Sequence, residues 1–158
     1  MKKLNILLVY LLVIFHSCDN NSEAPPEPEK YISFMVDGAL KKYSFSSSFS
    51  KTACTDATYC DLFTAMKDTA GSEKLKLGVP GEPVVGKVYK TGDQNFSCYF
   101  QNRQGVRYYL GTQPFLVTFT LWEGQGGWAS GTFSGWLYSK WDSLEFRNGS
   151  FQDEIWSY

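Results

Sequence analysis

The one histidine of the 158-residue chain, His16, lies in an N-terminal stretch that reads as a signal peptide. The mature chain therefore has no imidazole for a nucleophilic triad or a histidine-ligated metal. Carboxylates remain available for acid and base chemistry, as in glycosidases, where two of them flank the scissile bond. Asp142 with Glu145 and Asp153 with Glu154 are the clustered pairs. Neighbours on a strand point to opposite faces, which parts Asp153 from Glu154, and Asp142 falls near a turn; both pairs are expected on solvated surface. Cys54 and Cys60 bracket Thr55 to Tyr59. In an oxidising compartment they are expected to form a disulfide across that tight loop, adding about 2 kcal/mol by loop entropy. Cys98 falls on an apolar strand face and is expected to be a small core residue. Three cysteines show no zinc-ligand spacing, and Gly124 to Gly127 lacks the lysine and the following helix of a phosphate loop. The residues imply neither metal nor cofactor.

Aromatic side chains are the positive sign of a ligand. Trp122, Trp128, Trp136 and Tyr138 are expected on one hydroxyl-rich sheet face, where amphipathic rings stack on sugars or pack on a protein partner. Trp128 and Trp136 are eight residues apart on a strand, roughly 27 Å, too far for one small site. Another sheet, a loop or the N-terminal segment covering these rings is the competing expectation.

The hairpin that must position them runs from Phe115 to Tyr138. Val117, Phe119 and Leu121 alternate with Thr118, Thr120 and Trp122, the period of two that a strand with one buried face requires. With Glu123 to Gly127 as the loop, Trp122 faces Trp128, Leu121 faces Ala129, Phe119 faces Gly131 and Val117 faces Phe133, with no slip. Thr120 and Ser130, and Thr118 and Thr132, pair on the other face. A one-residue slip would put Phe119 and Phe133 on opposite faces, so the pattern sets the register. Phe133 is expected in the core between Gly131 and Gly135.

Around this hairpin the chain reads as further strands. Ile32, Phe34 and Val36 alternate, and Asp37-Gly38 turns the chain into Leu40 to Phe45. Ser44 to Ser50 reads equally as an outer strand or a loop. Leu62 to Met66 is expected to pair with Leu75 to Val79. Arg103-Gln104-Gly105 makes a second hairpin, setting Phe100 opposite Tyr108 and Cys98 opposite Leu110. Phe96, Cys98, Phe100, Val106, Tyr108 and Leu110 then share one face, with a Tyr99–Tyr109 pair on the other. At Asn148-Gly149 a bulge, which lets one long strand run through with Phe146, Phe151 and Ile155 inward, is preferred to a two-residue turn, because a hairpin would set Asp153 opposite Leu144 on the core face. The expected fold is all-β, an antiparallel sandwich or barrel of about eight to ten short strands.

Lys2 and Lys3 precede an apolar run from Leu4 to Phe15, too short for a membrane span and right for a signal peptide ending in Ser17-Cys18. Residues 1–17 are expected to be removed, with Cys18 acylated as the new N-terminus. Residues 18–30, with Pro25, Pro26 and Pro28 among acidic and polar residues, read as an extended tether reaching roughly 35 Å. The β-domain is residues 31–158. Without Lys2 and Lys3, 13 basic side chains stand against 16 acidic ones, a net charge of −3 that suggests no nucleic-acid partner.

Val36-Asp37-Gly38, Gly86-Lys87-Val88-Tyr89, Gly131-Thr132-Phe133-Ser134-Gly135 and Asn148-Gly149-Ser150-Phe151 resemble the pattern of small Bacteroidota lipoproteins classed as domains of unknown function. Asp19, Glu23, Glu27 and Glu29 behind Cys18 resemble the surface-export signals of such proteins. The resemblance implies an all-β lipoprotein of the outer membrane, facing the periplasm or the cell surface, and supplies no catalytic residues. Function is thus expected to be non-catalytic, a binding or structural module held to the membrane by its lipid. A glycan-binding accessory of polysaccharide uptake is the alternative, with an envelope protein as the other partner class, and a carboxylate-dependent glycosidase is the third reading.

Overall fold

The computed structural model describes residues 26–43, 49–51, 62–64, 73–124 and 126–157. Cys18, Cys54 and Cys60 lie outside these residues, as does the N-terminal run. Ten strands and no helix occur among the described residues: β1 (Tyr31–Val36), β2 (Ala39–Tyr43), β3 (Phe49–Lys51), β4 (Leu62–Thr64), β5 (Lys74–Gly78), β6 (Val88–Lys90), β7 (Ser97–Gln101), β8 (Arg107–Trp122), β9 (Trp128–Tyr138) and β10 (Ser143–Ser157). They lie in the order β2-β1-β10-β9-β8-β7-β5, with β6 on the second half of β8. All pairs are antiparallel except β3, which runs parallel to the end of β10 and carries β4 on its other edge. The sheet curls until its two ends meet: the Phe34 ring of β1 lies edge-on to Phe100 of β7, with centroids 6.1 Å apart. The fold is all-β, a curled antiparallel half-barrel.

Inward-facing rings fill the curl. Phe34, Phe100, Phe115, Phe119, Phe146 and Phe151 are fully buried. Phe146 sits at their centre, 5.2 Å from Phe34, 5.4 Å from Phe100 and 5.8 Å from Phe115. Cys98 is buried among them as expected, and burial pushes its thiol pKa well above the ordinary value.

The β1–β2 turn is the expected one, with Asp37 (φ 50°) and Gly38 (φ 75°) both left-handed and Val36 opposite Ala39. The Asn148-Gly149 bulge is also present, letting β10 run unbroken with Phe146, Phe151 and Ile155 buried. Here Asn148 (φ 52°) takes the left-handed position, and Gly149 serves a different purpose. A Cβ on Gly149 would stand 2.6 Å from the Phe133 ring, and one on Gly131 would stand 2.5 Å from the Phe151 ring. Gly149 faces Phe133 and Gly131 faces Phe151 across the β9–β10 ladder, so each ring lies over its partner's bare backbone.

One strand, β8, is far longer than expected, and bulges account for its course. Gly111 to Pro114 stand opposite the single residue Trp136, so what reads as two separate hairpins is one strand, β8. Thr120 is a second extra residue: Phe119 faces Gly131, but Leu121 faces Ser130 and Trp122 faces Ala129. The expected register thus holds from Val117 to Phe119 and slips by one beyond. Leu121 turns outward, and Trp122 turns inward against the core, 5.9 Å from Phe119.

Three further expectations are corrected. The ladder of β4 runs to β3, and that of β5 to β7, where Leu75 and Leu77 meet Phe100 and Cys98 on a shared apolar face. Val106 is exposed, because the Asn102 side chain gathers the Gln104 and Val106 amides into the loop and lifts Val106 off the sheet. Asp153 is in the core, not on solvated surface: the parity that carries Phe151 and Ile155 inward carries Asp153 with them, and its Oδ1 accepts the Glu154 amide at 2.8 Å.

Phe133 is buried and Thr132 exposed on adjacent positions of β9. Phe133→Ala is therefore expected to cost about 3–5 kcal/mol, and Thr132→Ala under about 1 kcal/mol, by urea denaturation of the two variants. Equal costs would mean that the outer face of β9 is buried as well.

Candidate functional site

Chain direction sorts the molecule into two ends. The hairpin tips at Asp37-Gly38, Asn102–Val106 and Ser139–Asp142 gather at one end, because β1, β7 and β9 all run toward it. The β8–β9 loop and the start of β1 lie at the other. There Lys30 pairs with Glu154 at 2.7 Å and sits over the Trp128 ring at 5.7 Å. The Gln152 side chain donates to the Glu29 carbonyl at 3.2 Å, so the last residues of the expected tether lie on the sheet.

The four aromatic residues singled out in the sequence do not form one set. Trp128, Trp136 and Tyr138 are on the outer face as expected, each half-buried, but Trp122 packs on the core. Trp128 belongs to the tether end and is covered in part by Lys30. Trp136 stands beside the Glu145–Arg147 ion pair (2.5 Å) and the Gln113-Pro114 bulge, as the shared wall of two shallow depressions. Tyr138, at the tip end, lays its ring on Gly111, where a Cβ would come within 2.3 Å of it.

Tyr138 has partners that sequence reading did not join to it. It faces Tyr109 on β8, and Tyr109 faces Tyr99 on β7, with ring centroids 6.1 Å apart and a 43° tilt. The same line continues to Lys76 on β5 and to Ser143 on β10. Three tyrosines thus stand side by side on the outer face of three adjacent strands. From Lys76 to Tyr138 the row spans roughly 14 Å at the usual strand spacing. Tyr109 at its centre is 49% exposed. The Arg107 guanidinium lies 5.7 Å from the Tyr99 ring, and its Nε donates to Gln101 at 3.0 Å. Trp141, 83% exposed with Lys140 over its ring at 4.4 Å, stands in the tip that follows Tyr138. Its position between Tyr138 and the strand starting at Ser143 marks it as a turn residue, which is the signal that would have found it.

The seam where the sheet ends meet forms a cleft of about 670 Å³. Across it Glu73, just before β5 and almost fully buried, accepts from Lys41 at 2.5 Å and from the Tyr43 hydroxyl. Tyr108, Asp37 and Asp142 line its mouth, and burial, then the Asp142 and Asp37 charges, raise the Tyr108 pKa above the ordinary tyrosine value. The carboxylate pairs from the sequence are split apart. Asp142 lines this cleft while Glu145 is held by Arg147 on the outer face; Asp153 is in the core while Glu154 is held by Lys30. Among the described residues no group of three or more His, Cys, Asp or Glu side chains is placed to hold a metal ion, and no helix is long and apolar enough to cross a membrane.

No protein-family model matches the chain, and neither a curated protein nor a solved structure matches it. Lys41 is the test of the seam. Removing its charge leaves the buried Glu73 carboxylate with Tyr43 in place of an ion pair, so Lys41→Met is expected to cost about 2–3 kcal/mol. The neighbouring Lys42–Glu29 pair is well exposed, and Lys42→Met is expected to cost under about 1 kcal/mol by thermal or urea unfolding.

Proposed function

We propose that this chain is a lipid-anchored protein of the bacterial cell envelope whose β-domain is a non-catalytic module that binds carbohydrate. The observation that carries the reading is the outer-face row Tyr99–Tyr109–Tyr138. Tyrosine offers an apolar ring face and a polar tip, the pairing that a sugar ring matches with its C–H face and hydroxyls. Gln101, Arg107 and Ser143 stand beside the row with hydrogen-bonding groups. The hairpin tips around it supply the irregular backbone on which binding residues are commonly carried.

Anchoring rests on Lys2, Lys3, the apolar run to Phe15 and Ser17-Cys18, together with the resemblance to small Bacteroidota lipoproteins of the outer membrane. The separation of Asp142 from Glu145 and of Asp153 from Glu154 favours binding over hydrolysis by those pairs, since a glycosidase needs two carboxylates facing one another across a bound bond. A carbohydrate-binding lipoprotein fits an accessory role in polysaccharide uptake, whether it faces the periplasm or the cell surface.

Two measurements test this. Cys18→Ala is expected to abolish fatty-acid labelling and to move the protein out of the membrane fraction; a variant that stays membrane-bound with an uncut N-terminus would rule out the anchor. Full-length protein in detergent is expected to bind a polysaccharide panel in affinity electrophoresis. Tyr109→Ala should weaken that binding about tenfold, the loss of one stacked ring, and Trp128→Ala should leave it unchanged. Unaltered binding by Tyr109→Ala would remove the row from consideration.

A further inference from the structure

Tyr138 ends the tyrosine row and also begins a second surface along its own strand. The row runs across the strands, so Tyr99, Tyr109 and Tyr138 lead on to Ser143. Trp136 lies off that line, two residues back along β9 and roughly 7 Å from Tyr138 on the same outer face. A bare position joins the two. Gly111 opens the β8 bulge that stands opposite Trp136, and the Tyr138 ring lies on it, so the ring leans out of the row toward the bulge. Beyond it the Trp136 indole walls a hollow of about 410 Å³, shared with Gln113 and Pro114 of the bulge and with the Glu145–Arg147 pair. Glu145 faces Trp136 on β10 and takes the Arg147 guanidinium through Oε2 at 2.5 Å. That contact uses one N–H and one oxygen. The other carboxylate oxygen and most of the guanidinium N–H groups are left to the hollow and to solvent, the Arg147 side chain being 68% exposed.

We infer that the ligand of the row is a branched, uncharged polysaccharide whose backbone lies along the tyrosines and whose side unit occupies the Trp136 hollow. This rests on the row's being a saccharide surface. An unbranched chain stacked on Tyr99, Tyr109 and Tyr138 passes on toward Ser143 and leaves Trp136 to one side. A unit attached to the sugar over Tyr138 reaches it. There the indole takes the apolar face of the side unit. Its adjacent hydroxyls match the ion pair, one donating to the Glu145 carboxylate while the next accepts from Arg147. Charge sets the other half of the specificity. Glu145 and Arg147 neutralise each other, so the hollow offers no net attraction to an acidic unit, whose carboxylate would lie near that of Glu145.

The test uses full-length protein in detergent with four probes, by calorimetry: galactosyl-substituted manno-oligosaccharides, xyloglucan oligosaccharides, and the unbranched manno- and cello-oligosaccharides that form their backbones. The expected result is that at least one branched probe binds at least tenfold tighter than its own backbone. Trp136→Ala should abolish that difference and leave the backbone affinity where it was, whereas Tyr109→Ala should weaken both. Should Trp136→Ala fail to fold, Arg147→Gln, a change at an exposed side chain, is expected to weaken the branched probe severalfold without moving the backbone affinity or the thermal midpoint. Branched probes that bind no tighter than their backbones, with Tyr109→Ala still harmful, overturn the branch site and leave the saccharide surface standing. A preference for branching that survives these changes at the hollow does the same. Binding to none of the four probes, or binding that Tyr109→Ala does not change, overturns both.

Discussion

Phe133 and Phe151 each lie across a glycine of the neighbouring strand, and the two contacts run in opposite directions, from β9 to Gly149 and from β10 to Gly131. A side chain at either glycine would collide with the ring, so both strands are bare where the other brings its largest inward group. This lets the two longest ladders lie close enough for Phe133 to stack on Phe115 at 6.0 Å and for Phe151 to meet Phe119 edge-on at 5.4 Å. The curl depends on the same contact. With rings lying over backbone, the inner face shortens relative to the outer one, and Phe34 and Phe100 come together from opposite ends of the sheet.

A sheet that curls without closing leaves a seam, and beside the hairpin tips side chains span it. Glu73 holds Lys41 and Tyr43 where no ladder joins β2 to β5 among the described residues. Such a contact adjusts more easily than a ladder, because long side chains can follow small shifts of the strands beneath them. The outer face at the same end is set differently: Tyr99, Tyr109 and Tyr138 are fixed by backbone pairing across three strands and so keep their spacing. The variable part and the fixed part of the hairpin-tip end are therefore separate.

Much of the architecture was legible in period-two alternation punctuated by turn residues. Asp37-Gly38, the Gln104-Gly105 loop and the Asn148-Gly149 bulge each stand where apolar alternation changes phase, and each forms as read. What escaped was parity lost without such a mark. Thr120 adds a residue in a stretch that alternates perfectly on paper, because Thr120 and Leu121 can both face outward at no steric cost, and only the tertiary position of Trp122 against Phe119 decides between the registers. The tyrosine row escaped for a related reason. The Tyr99–Tyr109 pair is local to one hairpin and was visible, whereas Tyr109–Tyr138 depends on β8 continuing through Gly111 to Pro114, a stretch with every sign of a loop. Asp153 illustrates the converse: a charged residue was assigned to the surface by its type, and strand parity placed it inside.

The placement of Glu29 and Lys30 has a mechanical consequence. They lie at the start of β1, at the end of the sheet opposite the tyrosine row, so a pull between the chain's N-terminal side and anything held at the row is directed along the strands. β1 is gripped on both edges, by β2 and by β10. Force in that direction loads its ladder hydrogen bonds in shear, all at once, where a perpendicular pull would open them one after another. The docked Lys30, clamped to Glu154 and Trp128, takes the load first and transmits it to β9 and β10 as well as to β1. Ladder bonds loaded together give way only at a higher force than the same bonds opened in turn.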